Sequence, residues 1–156
     1  IALPSFLNQA NKAKQSEAKT YVGSMNRAQQ AYYMEKSNIF ANEDNFNALG
    51  LGIQSSTSNY KYVIEGGGPD KDVVTNQAIQ GGPNPTKSPL KGYIGGVATG
   101  TLGDAAKVQE ATTLAILCEQ TKVPATGGAV VTASDVYTAA NVTGNACPGT
   151  TFSQVK

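Results

Sequence analysis

Apolar and small residues recur three to four positions apart along the first part of the chain, at Leu3, Leu7, Ala10, Ala13, Ala18, Tyr21, Met25, Ala28 and Tyr32. Asn11, Gln15, Lys19, Asn26 and Gln30 fall on the opposite side. The spacing predicts one amphipathic helix from about Pro4 to Lys36. Its interior holds no proline, and Gly23 costs up to about 1 kcal/mol relative to alanine without breaking it. Pro4 is harmless in a first turn but kinks a helix that begins earlier. At about 1.5 Å per residue the helix is about 50 Å long, against a globule of roughly 30 to 35 Å for a chain of this size. Its N-terminal turns therefore rest on something else or project into an assembly. The stripe begins with Leu3, Phe6 and Leu7, becomes alanine-rich through Ala10, Ala13 and Ala18, and ends in tyrosines. Small residues permit close helix–helix approach, and the aromatics suit a sheet.

After Lys36 the pattern is irregular to Asn59, with Ile39, Phe40, Phe46 and Leu49 scattered among polar residues, which predicts a long loop packed down on the domain. From Tyr60 the period falls to two: Tyr60, Tyr62 and Ile64 face one way, Lys61, Val63 and Glu65 the other. Further strands are predicted over Val73–Gln80, Lys91–Thr99 and Thr112–Cys118, separated by turn-forming runs such as Gly66-Gly67-Gly68-Pro69-Asp70 and Gly81-Gly82-Pro83-Asn84-Pro85. Beyond Val123 the chain is rich in Thr, Ala and Gly, with a modest strand signal at Ala129–Thr132. The expected architecture is α+β: one long N-terminal helix on an antiparallel sheet of about four strands. A single domain of 156 residues then divides into a helical spine (1–36), a connecting loop (37–59), a sheet (60–118) and a C-terminal region (119–156).

Composition narrows the chemistry. The chain is 40% hydrophobic and 15% charged, too apolar for disorder, and its 12 Lys and Arg against 11 Asp and Glu leave no global field to recruit a charged partner. It has no histidine, which excludes Ser-His-Asp and Cys-His catalysis and histidine-based zinc sites. Cys118 and Cys147 lack C-x-x-C spacing and read as one structural disulfide formed in an oxidising compartment, two unpaired buried thiols being the alternative. Closing that loop contributes about 3.5 kcal/mol in the chain-entropy treatment, a useful tie for a weakly patterned tail. No apolar run of about 18 residues occurs, and the chain opens on Ile1 without a signal region, as a processed or engineered fragment does.

Three groups of residues carry a family resemblance: Ile1-Ala2-Leu3-Pro4 with Ser16-Glu17-Ala18-Lys19 and Asn26-Arg27-Ala28-Gln29-Gln30-Ala31-Tyr32; Tyr60-Lys61-Tyr62 with Leu90-Lys91-Gly92-Tyr93-Ile94-Gly95-Gly96-Val97; and Leu114-Ala115-Ile116-Leu117-Cys118-Glu119. In this order the chain resembles the type IV pilins, the cyanobacterial pilin-like branch above all, from Ile1 to about Gln120. The resemblance implies a non-enzymatic filament subunit with no cofactor or small-molecule substrate. Its partners would be copies of itself and other pilins in a helical filament. An N-methylated, apolar N-terminal segment of about twenty residues would hold it in the inner membrane before assembly at the cell surface. Pro4 would then be a kink in a longer helix, and Leu3, Pro4, Phe6, Leu7 and Ala10 would belong to its assembly face. Tyr21, Met25, Ala28, Tyr32, Tyr60 and Tyr62 would pack helix against sheet, and Cys118 and Cys147 would bound the outward-facing C-terminal region. Surface motility, adhesion and DNA uptake are what the resemblance implies for the whole pilus. A pseudopilin of a type II secretion system is the alternative, and a secreted carbohydrate- or cell-binding module a second one.

Other features read as structure. Gly66-Gly67-Gly68 lacks a following Lys-Ser/Thr pair and reads as a hairpin turn, not a phosphate cradle. Asp70 and Asp72, or Asn42, Glu43, Asp44 and Asn45, supply oxygens that Ca²⁺ takes but not at EF-hand spacing. Asn141-Val142-Thr143 is a glycosylation sequon, which a bacterial source leaves without its N-linked use. Lys12, Lys14, Lys19 and Arg27 give the helix a basic flank opposed only by Glu17, read as a solvated face or an intersubunit charge partner ahead of a DNA contact. The tyrosines Tyr21, Tyr32, Tyr33, Tyr60 and Tyr62 read as core ahead of a stacking platform.

Overall fold

The computed structural model describes residues 3–102 and 110–155. Helix α1 runs Leu3–Glu35, as the periodicity predicts. Strands β1 (Tyr60–Gly66), β2 (Val73–Gln80), β3 (Tyr93–Leu102) and β4 (Glu110–Gln120) follow, then a short helix α2 (Ala139–Thr143) and strand β5 (Phe152–Gln154). The five strands form one antiparallel sheet in the order β1-β2-β3-β4-β5, so each strand pairs with its sequence neighbour.

The sheet is covered on both faces. Ala18, Val22 and Met25 of α1 pack with Tyr60, Tyr62, Val74, Ala78, Tyr93 and Val97 on one face. The C-terminal region packs on the other, where Val131, Tyr137, Val142 and Phe152 meet Ile94, Ala98, Ile116 and Cys118. Two adjacent glycines of β3 make this two-sided closure possible, because successive residues of a strand face opposite sides. A Cβ on Gly95 would lie 2.3 Å from Asn26 Oδ1 and 2.7 Å from Val22 Cγ1, on the helix side. One on Gly96 would lie 2.6 Å from the Tyr137 ring, on the tail side. The pair lets both layers approach the backbone closely.

Four differences from the sequence reading have physical causes. The polar positions of α1 are not all on its outer side: Asn26 and Gln29 are buried, and Gln15 and Gln30 reach the sheet. Their amides satisfy backbone and side-chain groups of the facing layer, so polarity does not mark exposure here. Strand β3 starts at Tyr93, two residues after the predicted start, because the Lys91 and Gly92 N–H groups donate to the side chains of Gln15 and Gln120. The stretch Ala129–Thr132 is irregular; Val131 is buried and its N–H donates to Gln80 Oε1 rather than to a ladder. The sheet gains a fifth strand, β5, whose three residues carry no periodic signal and are extended because they pair with Cys118–Gln120.

The connection from α1 to β1 packs down as predicted and contains a 3₁₀ helix over Glu43–Leu49, with Phe40 and Phe46 buried. It also covers the outer edge of β1. The Tyr62 N–H donates to Ser55 O, the Gly68 N–H to Phe40 O, and the Ile64 N–H to the Glu43 carboxylate. An edge strand with its donors occupied is protected from indiscriminate pairing.

Candidate assembly interface

Helix α1 has two halves with different environments. From Gln15 onward it is fastened to the rest of the domain, Gln15 accepting from the Lys91 N–H and Glu17 from Tyr62 of β1, and residues 6–10 are all exposed. Phe6 and Leu7, among the largest side chains of the protruding half, keep 66% and 63% of their surface accessible. Ala10 is also exposed; the side chains of Leu3 and Pro4 lie outside the described residues, so the kink read at Pro4 does too. Adjacent exposed apolar residues on a rigid helix form a surface that gains by covering, at about 25 cal/mol per Å² removed from water.

The fastened half is held by a polar seam inside an apolar interface. Asn26 Nδ2 donates to Ile116 O at 3.0 Å, and Asn26 Oδ1 accepts from Asn76 Nδ2 at 2.8 Å. Gln29, fully buried, donates to Ala41 O at 3.0 Å and accepts from the Ala41 N–H at 2.9 Å, tying the chain after α1 back onto the helix. Around the seam, Met25, Tyr60 and Tyr62 are fully buried, and the Tyr21 ring packs 5.3 Å from that of Tyr62. Ala28 and Tyr32 are half-buried, and it is Tyr33, 4.6 Å from Phe40, that packs against the core cluster at this end.

Burial raises the pKa of four tyrosines well above the ordinary tyrosine range. Desolvation dominates in each; Tyr93 and Glu17 add to it at Tyr60, Glu17 at Tyr62, and Glu119 at Tyr93, while Tyr137 is governed by burial alone. These hydroxyls are structural donors: Tyr60 to Lys91 O, Tyr62 to Glu17, Tyr137 to Ile94 O.

The C-terminal region is fixed to the sheet by covalent and polar ties. Cys118 and Cys147 form a disulfide with Cα atoms 6.0 Å apart, joining β4 to the chain after α2. Gln77 donates to Thr132 O and Asp135 O, and Gln120 to Ala129 O. Neither glutamine is singled out from sequence; for Gln77 the signal is the amide pair Asn76-Gln77 inside β2, an unusual composition for a buried strand, and Gln120 at the end of β4 carries no such signal.

The other candidate sites take structural places. All three glycines of Gly66-Gly67-Gly68 have positive φ, and a Cβ on Gly67 would lie 2.5 Å from Ala41 O, so the turn is pressed against the loop beside it. Asp70 and Asp72 line an open cavity of about 410 Å³ with Tyr33, Asn38 and Thr99. Among the described residues no three of His, Cys, Asp or Glu converge as a metal site. Asn141 accepts from Thr138 at the start of α2 in a capping box, so the sequon asparagine is engaged in a helix cap. Lys12, Lys14, Lys19 and Arg27 are exposed, Arg27 donating to Ser24 Oγ, while Glu17 accepts from Asn59 and Tyr62. Among the described residues no helix is long and apolar enough to cross a membrane.

A long helix laid on one face of an antiparallel sheet, with a disulfide-tied tail on the other, is the α+β pilin-like fold. The family model of the type IV pilin-like G and H proteins matches residues 15–148, and the chain belongs to that family. Its role is that of a pilin-type structural protein. No curated protein and no solved structure matches the chain.

Proposed function

We propose that the protein is a structural subunit of a type IV pilus at the bacterial cell surface, assembling with copies of itself and other pilins to support surface motility, adhesion and DNA uptake. The observation that carries this reading is the protruding half of α1, where Phe6 and Leu7 stand exposed beyond a helix–domain interface that begins at Gln15. In the filament these side chains, with Ala10, bury against helices of neighbouring subunits, each large one contributing about 2 kcal/mol. Before assembly the subunit resides in the inner membrane, held by an apolar helical segment ahead of Phe6, as the resemblance implies. The sheet, the loop of residues 37–59 and the disulfide-tied tail then form the exterior. DNA uptake belongs to the filament as a whole, not to a nucleic-acid site on this chain.

The test is Phe6→Asp with Leu7→Asp in a strain producing no other copy. Both side chains lie outside the core, so subunit abundance should be unchanged while surface filaments are lost. Normal filament numbers from the double variant would overturn the proposal.

A further inference from the structure

The near-zero net charge of the chain conceals a strong segregation of charge along α1. Gln15 of α1 meets the Lys91 N–H and Glu17 meets Asn59, so this stretch of the helix marks the end of the sheet where β1 begins and β2 finishes. Gln29 meets Ala41 and Gln30 meets Thr113, marking the opposite end. At the first end Lys12, Lys14, Lys19, Lys61 and Lys87 are all exposed, opposed by a half-buried Glu17 already engaged with Asn59 and Tyr62. Lys14 and Lys87 line one cavity of about 260 Å³ that has no carboxylate among its lining residues. At the other end Glu35, Glu43, Asp44, Asp70 and Asp72 are exposed against Lys36 and Lys71. Among the described residues the ion pair present is Lys91–Glu119, and Lys14, Lys87, Asp70 and Asp72 pair with no other described charge, whereas Glu43 accepts from the Ile64 N–H.

The two ends cannot neutralise one another within one molecule. From Lys14 to Glu35 is about 32 Å along the helix, several times the Debye length of about 8 Å at physiological salt. The helix dipole has the same sense, positive toward the N-terminus, and Glu35 sits in a last turn that contains no basic residue, where a carboxylate is disfavoured. Like charges held side by side at each end destabilise the isolated subunit slightly and are relieved by an opposite surface. The oppositely charged surface is the other end of a second copy of the same protein. Because the patches are at opposite ends of one body, their contact is head-to-tail and does not close into a dimer, which is the symmetry that propagates a filament.

We infer that the lysine end of one copy docks on the carboxylate end of the next, with Lys14 and Lys87 facing Asp70 and Asp72, so that this charge contact sets the axial stacking of subunits. The inference rests on the filament reading above and adds the surface that orients neighbours. It is tested in cells whose single copy is the full chain, by filaments sheared from the surface, with subunit abundance measured alongside. Lys14→Glu with Lys87→Glu should lower filament yield at least tenfold, and so should Asp70→Lys with Asp72→Lys. The fourfold variant carrying all four reversals should recover most of the yield, because the charges are exchanged and not removed. Full yield from either double variant, or a fourfold variant no better than the doubles, overturns the charge contact. Absence of filaments from the unaltered chain overturns the filament reading itself, so the two failures are distinct. As a second measurement, Lys14→Cys combined with Asp72→Cys should give a disulfide-linked ladder of multimers in filaments; a single band contradicts the pairing.

Discussion

Replacing Asn26 by alanine probes the polar seam that holds α1 to the sheet. Asn26 is buried, donates to Ile116 O and accepts from Asn76 Nδ2. Alanine removes both bonds and leaves the Asn76 amide without that acceptor in a site closed to water, a loss of about 1 to 3 kcal/mol for a buried unsatisfied group. The small void left by the side chain adds to this, giving about 2 to 4 kcal/mol in total. That is a large share of the stability of about 5 to 15 kcal/mol usual for a folded protein. Denaturant unfolding followed by circular dichroism should show the midpoint falling with the slope unchanged. Asn76→Ala should cost a similar amount. The double variant should cost less than the sum by about 1 kcal/mol or more, since the second substitution removes the partner that the first left unpaired. A cost for Asn26→Ala below about 0.5 kcal/mol, or strict additivity of the pair, refutes the claim that this seam fixes the helix.

The same alanine substitution should have opposite signs at two glycines. Gly23→Ala meets nothing closer than 3.7 Å and should stabilise α1 by up to about 1 kcal/mol, whereas Gly95→Ala drives a methyl into Asn26 and Val22 and should destabilise by about 1 to 3 kcal/mol, both read by thermal unfolding. Reducing the Cys118–Cys147 bond, or replacing both residues by serine, should cost about 3.5 kcal/mol and expose residues 121–151 to limited proteolysis ahead of the sheet; equal protease resistance with and without the bond counts against its role. Alkaline pH should unfold the protein cooperatively. The four buried tyrosines have folded pKa values raised above the unfolded value of about 10, so their contribution is intact below about pH 10 and is lost as pH rises past it. Each forfeits about 1.4 kcal/mol per pH unit, and phenolate absorbance should rise together with loss of circular dichroism.

The sequence revealed those parts of the fold that rest on periodicity. Helix α1 and strand β1 follow from spacings of three to four and of two, and β2, buried along nearly its whole length, from the turn-forming runs that bound it. Buried amides break that logic. Asn26 and Gln29 look like solvent positions until the facing Asn76, Ile116 and Ala41 are known, and those partners are 12 to 90 residues away in the chain. Strand β5 was illegible for a similar reason, since Phe152-Ser153-Gln154 is extended by its pairing with β4 and not by its own pattern. The apolar start of α1 was legible as a helix face; that Phe6 and Leu7 remain uncovered required seeing where the sheet ends. Charge segregation was hidden because a net charge sums over both ends, and only the fold assigns each lysine and carboxylate to one of them.

The role proposed for this chain is to build a surface filament. Deleting its gene, and then imaging the cell surface while assaying export through the type II secretion route, tests it most directly. Filaments should disappear, protein export should continue, and filaments sheared from the parent strain should contain this chain. Undiminished filaments, or intact filaments with export blocked, would contradict it, the second outcome assigning the subunit to a secretion pseudopilus.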